Sequence, residues 1–395
     1  SANNTAIGNQ ALYFNTAANN TAVGSAALVA NTTGVVNTAV GANALDATTT
    51  ADNNVAVGFN TLTTTTTGGN NTAVGFKALE ANTTAYGNTA IGYRALTTNT
   101  TGLYTTAIGH EAMANGGGEQ STAIGVQALQ GGGAQSTAIG FQALQENTTG
   151  FQNTAVGHSA LHENTTGQYN HAIGHSALYQ NTTGDDNVGS GYAPLWKNTT
   201  GSKNTAVGWM PLKISTTGSN NVAVGYLSLD SNLTGSNNTA IGYEADVVSD
   251  DLSNATALGA NAVVNASNTI QLGNTSVTNV KTSGSVTTGA ITIPNTDGSA
   301  DQVLKTDGSG VLSWGAAFDT SQLQLVTATG TNGSVTATCP GTKKLIFGSC
   351  NRSTGFPGTS GDYEFRDEPN SGLTSFTCYS GSSRTSFQKA HAVCY

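Results

Sequence analysis

Residues 70–87 read N-N-T-A-V-G-F-K-A-L-E-A-N-T-T-A-Y-G, and residues 153–167 repeat the plan as N-T-A-V-G-H-S-A-L-H-E-N-T-T-G. In an extended N-T-A-V-G segment the Thr and Val side chains, two residues apart, leave by one face while Ala leaves by the other. The A-L pair that follows (Ala78-Leu79, Ala160-Leu161) adds a second short apolar segment. N-T-T-G then supplies a turn, with glycine for the backbone and Asn and Thr able to bond their own main chain. The apolar-Gly dipeptide recurs from Ile7-Gly8 to Leu272-Gly273, with Val188-Gly189 counted in the set. Its steps are mostly 17 residues, with 14, 15, 16 and 19 as exceptions. Such a period marks a one-dimensional array of stacked units.

Two short strands and two turns in 17 residues make one coil of an all-β parallel solenoid, or flat β-roll. Helical repeats need about twice the length, and one A-L pair per coil cannot line a helix face. Sixteen intervals at about 4.8 Å predict a rod of roughly 77 Å. Each coil brings few large apolar side chains, so one chain buries little by itself. The expected remedy is for coils to stack lengthwise and for several chains to share a core laterally, with Ala and Gly allowing close approach; the resemblance given below makes that an intertwined homotrimer.

Charged residues are only 9% of the chain, and glycine numbers 50. Low charge with abundant Asn and Thr suits a linker, but disorder needs no Val or Ile at a fixed phase. The formal charge of −9 divides into −10 over residues 1–315 and +1 over 316–395. An acidic shaft discourages nucleic acid and anionic lipid as partners. No apolar run is long enough to span a bilayer, and no signal peptide opens the chain at Ser1. The chain starts in mid-repeat, which leads to the expectation of a fragment whose export signal and anchor lie upstream or on another protein.

Several shaft residues invite a chemical reading. His110, His158 and His175 follow repeat glycines, with His162 and His171 nearby. A phase-locked column of this kind is either an exposed or interface ladder or, around a threefold axis, a metal or anion site; the ladder is the expected reading, and no metal or cofactor is expected. Asp185-Asp186 and Asp250-Asp251 fall in turns where a calcium ion is the rival to plain loop chemistry. The many Asn-x-Thr triplets match the glycosylation signal formally but are read as turns, since a glycan on every coil would obstruct lateral assembly. Tyr192, Pro194, Trp196, Trp209 and Pro211 mark the most irregular unit, read as a patch packing a long loop, with a side-wall glycan site as the alternative.

After Gly273 the period stops. Residues 274–293 read as β, and 297–314 as two short strands around D-G-S-G at 307–310. The expected divisions are a β-roll shaft at 1–273, a β-rich trimeric neck at 274–315 and a tip at 316–395. The tip holds strand candidates at 323–329, 334–339, 343–350, 362–367, 373–380 and 389–395, which imply a small antiparallel β-sandwich. It also holds all four cysteines, Cys339, Cys350, Cys378 and Cys394. Two disulfides suit an extracellular setting, and the spacing lacks the C-x-x-C of a zinc knuckle. Nothing resembles a catalytic triad, and Asp362, Glu364 and Arg366 share one strand face, so no enzyme is expected. Arg352, Tyr363, Arg366, Tyr379, Arg384 and His391 are the candidate glycan-binding residues; the bland alternative is aromatics as core and arginines as rim.

The repeats NTAVG and NTAIG resemble the N-S-V-A-I-G type motif in the heads of trimeric autotransporter adhesins, which are left-handed parallel β-roll trimers. Thr-Ala-Val at 72–74 stands where that motif has Val-Ala-Ile, so Thr replaces one core-directed apolar residue. The likeness covers residues 1–273 and extends to bacteriophage tail fibres; mosaic trimeric adhesins of predatory bacteria such as Bdellovibrio look nearest. V-T-A-T-C-P-G-T-K-K at 335–344 resembles a small β-module at fibre ends, and implies the pairs Cys350–Cys378 and Cys339–Cys394. The resemblance implies a homotrimeric surface fibre whose tip binds a cell-surface glycan, without direct membrane insertion. A phage tail fibre and a structural spacer without ligand are the alternatives.

Overall fold

The computed structural model describes residues 3–116 and 118–281, and beyond them seven strands between Gln302 and Cys394. The chain forms two units, Ser1–Ser283 and Gly284–Tyr395.

The first unit is a parallel β-solenoid. One 17-stranded parallel sheet runs through it, each strand pairing with the next along the chain. Fifteen of these strands, from Thr5–Ile7 through Thr137–Ile139 to Ile270–Leu272, are as short as three residues. Register follows the repeat: Thr72 pairs with Thr89, Ala73 with Ala90 and Val74 with Ile91. Shortened coils are absorbed in the turns, since Thr106–Ile108 still meets Thr122–Ile124 residue for residue.

The expected alternation holds. The central alanines Ala22, Ala39, Ala56 and Ala73 are fully buried, while Thr and Val or Ile stand on the outer face. One leucine per coil (Leu28, Leu45, Leu62, Leu79 and their successors, with Met113 once) fills the interior against the alanines. The core of a coil is therefore Ala and Leu. Thr and Val of the box point away from it, which corrects the reading of Thr as a replacement for a core-directed residue.

The expected second strand is absent from nearly every coil. Around the Ala78-Leu79 pair, where the second strand was expected, the chain turns instead, with Lys77 at φ 58° and Leu79 at φ 51°. The turns still stack: Leu62 N–H donates to the Ala78 carbonyl and Leu79 N–H to the Ala95 carbonyl, at 3.1 and 3.0 Å. Only at Asp246–Val247 and Val263–Val264 does this side become a parallel strand pair. There E-A-D-V-V replaces the K-A-L-E pattern, and Val247 and Val264 take the buried place of leucine.

The unit around residue 189 is regular. Val188 pairs with Thr205 and Gly191 with Gly208, so Gly191, not Gly189, is the repeat glycine. The apparent steps of 15 and 19 become two steps of 17. The repeat glycines are obligatory for two reasons. Gly75 has φ +133°, and a Cβ there would run into the carbonyl group of Gly92 in the next coil.

Two columns of buried asparagine tie the coils together. The Asn before each box accepts from the next coil's backbone, Asn71 N–H to Asn54 Oδ1 and Asn88 N–H to Asn71 Oδ1, both 3.0 Å. Its amide donates onward, as from Asn71 Nδ2 to the Ala85 carbonyl at 2.9 Å. The N-T-T-G asparagines close their own turns, as from Asn164 Nδ2 to the Gly167 carbonyl at 3.0 Å. They also link coils, as from Asn181 Nδ2 to Asn164 Oδ1 at 2.9 Å. Asn31, Asn82, Asn147, Asn164, Asn181 and Asn198 are all fully buried, which fits the reading of those triplets as turn chemistry.

The second unit is antiparallel. Gln302–Thr306 pairs with Leu312–Ala316, as expected for the stretch at 297–314. Gln324–Gly330, Gln388–Cys394 and Leu345–Arg352 form a three-stranded sheet, and Ser334–Thr338 pairs with Ser375–Tyr379. The strand expected at 362–367 lies outside the described residues, and 274–281 carries no strand.

Candidate functional site

The outer face of the 17-stranded sheet is the site that the coils build. Three columns run along it. The first is mainly Thr, and the second is Val or Ile with Ser190, Leu258 and Leu272 as variants. The third follows the repeat glycine, where strands Val188–Tyr192 and Thr205–Trp209 extend two residues further and pair Tyr192 with Trp209.

The third column is a ladder of stacked rings. Phe59, Phe76, Tyr93 and His110 follow one another with centroids 5.7, 5.3 and 4.9 Å apart. Val126 interrupts them. Phe141, His158, His175, Tyr192 and Trp209 then continue at 5.0, 4.9, 5.3 and 4.1 Å, and Tyr226 stacks on Tyr243 at 5.1 Å. The spacing is imposed by the strands: a parallel sheet sets successive coils about 4.8 Å apart, close to ring-stacking distance. Sequence reading saw the phase only in the histidines and took Tyr192 and Trp209 for an irregular patch, although Phe, Tyr and Trp at the same phase carried the same signal.

The ladder corrects the account of the aromatic unit at 192–211. No long loop is packed there. Tyr192 and Trp209 remain 36% and 46% exposed as consecutive rungs. Trp196 belongs to a second, shorter stack with Tyr179 and His162 on the turn side of the coils. Pro194 and Pro211 sit where other coils have Ala before Leu, and their carbonyls accept from Leu178 and Leu195 at 2.9 and 3.0 Å. The Ala N–H that proline removes makes only a 3.4 Å contact in coils such as Ala78 to Gly75.

None of the three columns contains Asp, Glu, Lys or Arg in any of the seventeen coils. Charges lie on the turns, as in the Lys77–Glu80 ion pair at 3.0 Å. Large apolar side chains stay open along this face, at 60% for Ile7, 38% for Ile91 and 44% for Tyr93, and contiguous exposed apolar patches are what interaction surfaces present.

The carboxylates of Asp52 and Asp185 accept from backbone, and Asp251 Oδ1 accepts from the Ser249 hydroxyl at 2.7 Å. Asp185 Oδ1 accepts from Gln168 N–H at 2.8 Å and Asp52 Oδ1 from Val35 N–H at 2.7 Å. Serines take the same place later, as where Ser219 Oγ accepts from Ser202 N–H at 3.1 Å. Among the described residues no three His, Cys, Asp or Glu side chains gather as a metal site requires, and no helix is long and apolar enough to cross a membrane. Burial raises the carboxyl pKa of Asp46, Asp230 and Asp246 above the usual value; for Asp246 hydrogen bonds from Ser231 and from its own chain at Val247 partly offset it.

Of the six tip candidates, three lie on described strands. Arg352 ends Leu345–Arg352 opposite Gln388, and His391 pairs with Thr327 on one side and Ser349 on the other. Tyr379 pairs with Ser334 in the separate two-stranded sheet. Tyr363, Arg366 and Arg384 lie outside the described residues, as does Cys339 of the implied disulfides. No protein-family model matches the chain, and no curated protein matches it.

Proposed function

We propose that the chain is part of a homotrimeric extracellular surface fibre, in which three solenoids pack through the outer sheet face and the region 316–395 serves as a receptor-binding, glycan-binding tip. The observation that carries the lateral packing is the outer face itself: three columns, seventeen coils and no formal charge, on a unit whose charges all lie elsewhere. Water would tolerate charges at every one of those positions, whereas a surface buried against identical copies would bring like charges together. The number three follows from the resemblance to trimeric adhesin heads. The stacked rings of the ladder have their faces covered by one another, which suits edge-on packing against a neighbour better than sugar stacking. That leaves the tip as the place for recognition, where Arg352, Tyr379 and His391 stand with Tyr363, Arg366 and Arg384 as ligand candidates. Weak tip sites repeated three times would give firm attachment through avidity.

Two measurements test this reading. Sedimentation of the purified chain is expected to give a trimer, and a stable monomer of 39.7 kDa would end the proposal. On a glycan array the full chain is expected to bind and a chain ending near Trp314 is not; equal signals from both would move recognition to the solenoid.

A further inference from the structure

The outer face is uniform in its lack of charge but not in its chemistry. His158, His171 and His175 fall on two adjacent coils, and all three are exposed on the single chain. His158 and His175 stack at 4.9 Å with planes 5° apart. His171 stands in the Thr column between Thr154 and Val188. We infer that this cluster is a pH-sensitive seam: acidification loosens the lateral packing of the solenoids at residues 153–192. The inference rests on the proposal that this face is covered by copies of the chain.

The argument is one of missing counter-charge. A protonated imidazole buried against a neighbour needs a carboxylate or other acceptor to offset its lost hydration. The ring neighbours of His158 are Phe141 and His175, and those of His175 are His158 and Tyr192. Their Nδ1 atoms lie 3.0 and 2.9 Å from the hydroxyls of Ser159 and Ser176, which are neutral. The three columns offer no carboxylate at any coil, and threefold packing would bring the same histidines of three chains together. Asp186, two residues before Val188, is the acidic group nearest in sequence to these strands; its neighbour Asp185 already accepts from Gln168 N–H. His110 differs. It stacks on Tyr93, and its Nδ1 lies 4.0 Å from Glu111 Oε2, so a carboxylate stands beside the ring. Histidine is the side chain whose charge ordinarily changes between pH 5 and 8, and on this face only the coils at 153–192 bring three of them together.

The test uses the full chain. Assembly mass and the thermal midpoint are measured at pH 7.5 and pH 5 for the wild type, for a triple variant His158→Tyr, His171→Thr, His175→Tyr, and for His110→Tyr. Each replacement already occupies the same column elsewhere, at Tyr93, Tyr192 or Thr154, so the variants should assemble at pH 7.5 as the wild type does. Expected is a midpoint several degrees lower at pH 5 for the wild type and His110→Tyr, and most of that fall abolished in the triple variant. The half-buried aspartates act equally in all three proteins and cancel in the comparison. Trimers throughout with the same fall in the triple variant, or with no fall in the wild type, would overturn the inference alone. A monomer at pH 7.5 would overturn the packing proposal and the inference with it.

Discussion

The inside and the outside of a coil obey different rules. Inside, two Ala columns, one Leu column, a glycine corner and two Asn columns recur with few exceptions, because every atom there meets its counterpart one coil away. Outside, the residue types wander through Thr, Val, His and Ile in one column and Phe, Tyr, His, Trp and Val in another, yet never to a charge. The interior thus fixes a shape, while the exterior maintains a property. A repeat under both constraints is one that stacks upon itself and then meets something else along its length.

The contrast breaks most violently at the glycine corner. Gly75→Ala should cost at least about 3 kcal/mol or prevent folding, because φ +133° and the Gly92 carbonyl group both reject a Cβ; chemical denaturation measures it. Leu79→Ala comes next, at about 2–5 kcal/mol for an emptied interior place. Asn71→Ala should cost about 1–3 kcal/mol, since it strands the Asn88 N–H inside the stack and leaves the Ala85 carbonyl only its 3.3 Å bond from Asn82 Nδ2. On the outside the readout changes. Val74→Asp should leave the strand content of the solenoid intact by circular dichroism and yet abolish the trimer in sedimentation. If all four substitutions merely unfold the chain, the distinction between inside and outside is lost.

Smaller effects sharpen it. Val36 is β-branched and sits at φ 61°, where most other coils have Asn or another unbranched residue. Val36→Asn should therefore stabilise by about 1 kcal/mol, read as a raised denaturation midpoint. Asp230 has a folded pKa raised by burial, so the folded state holds its proton more tightly than the unfolded chain. Stability should then fall as pH rises from the ordinary value of 3.8 through the raised one, and stay lowered above it. Asp230→Asn should remove that fall and raise the neutral-pH midpoint modestly.

Much of this was legible in the residues. The 17-residue phase, the Thr/Val-out and Ala-in alternation, the turn role of N-T-T-G and the hairpin at 302–316 all follow from local rules about side-chain direction and turn residues. Less was legible where the outcome depends on neighbours one coil away. The segment at Ala78-Leu79 looked extended because Ala-Leu is apolar. It turns through left-handed residues because the coil must close on an interior that Leu79 fills from inside. Gly189 looked like a repeat glycine because it follows a valine, and only pairing with Ala206 showed that Gly191 holds the corner.

What the sequence by itself determined is the array: a period, a parallel register and a face that alternates, since periodicity in side-chain type maps directly onto periodicity in space. What only the tertiary structure decided is which residues meet across that period. Buried asparagines bonding from coil to coil, rings stacking into a ladder and an outer face empty of charge are properties of columns. A column joins residues that lie 17 apart along the chain and roughly 5 Å apart in space, and no local reading of either coil contains the contact between them.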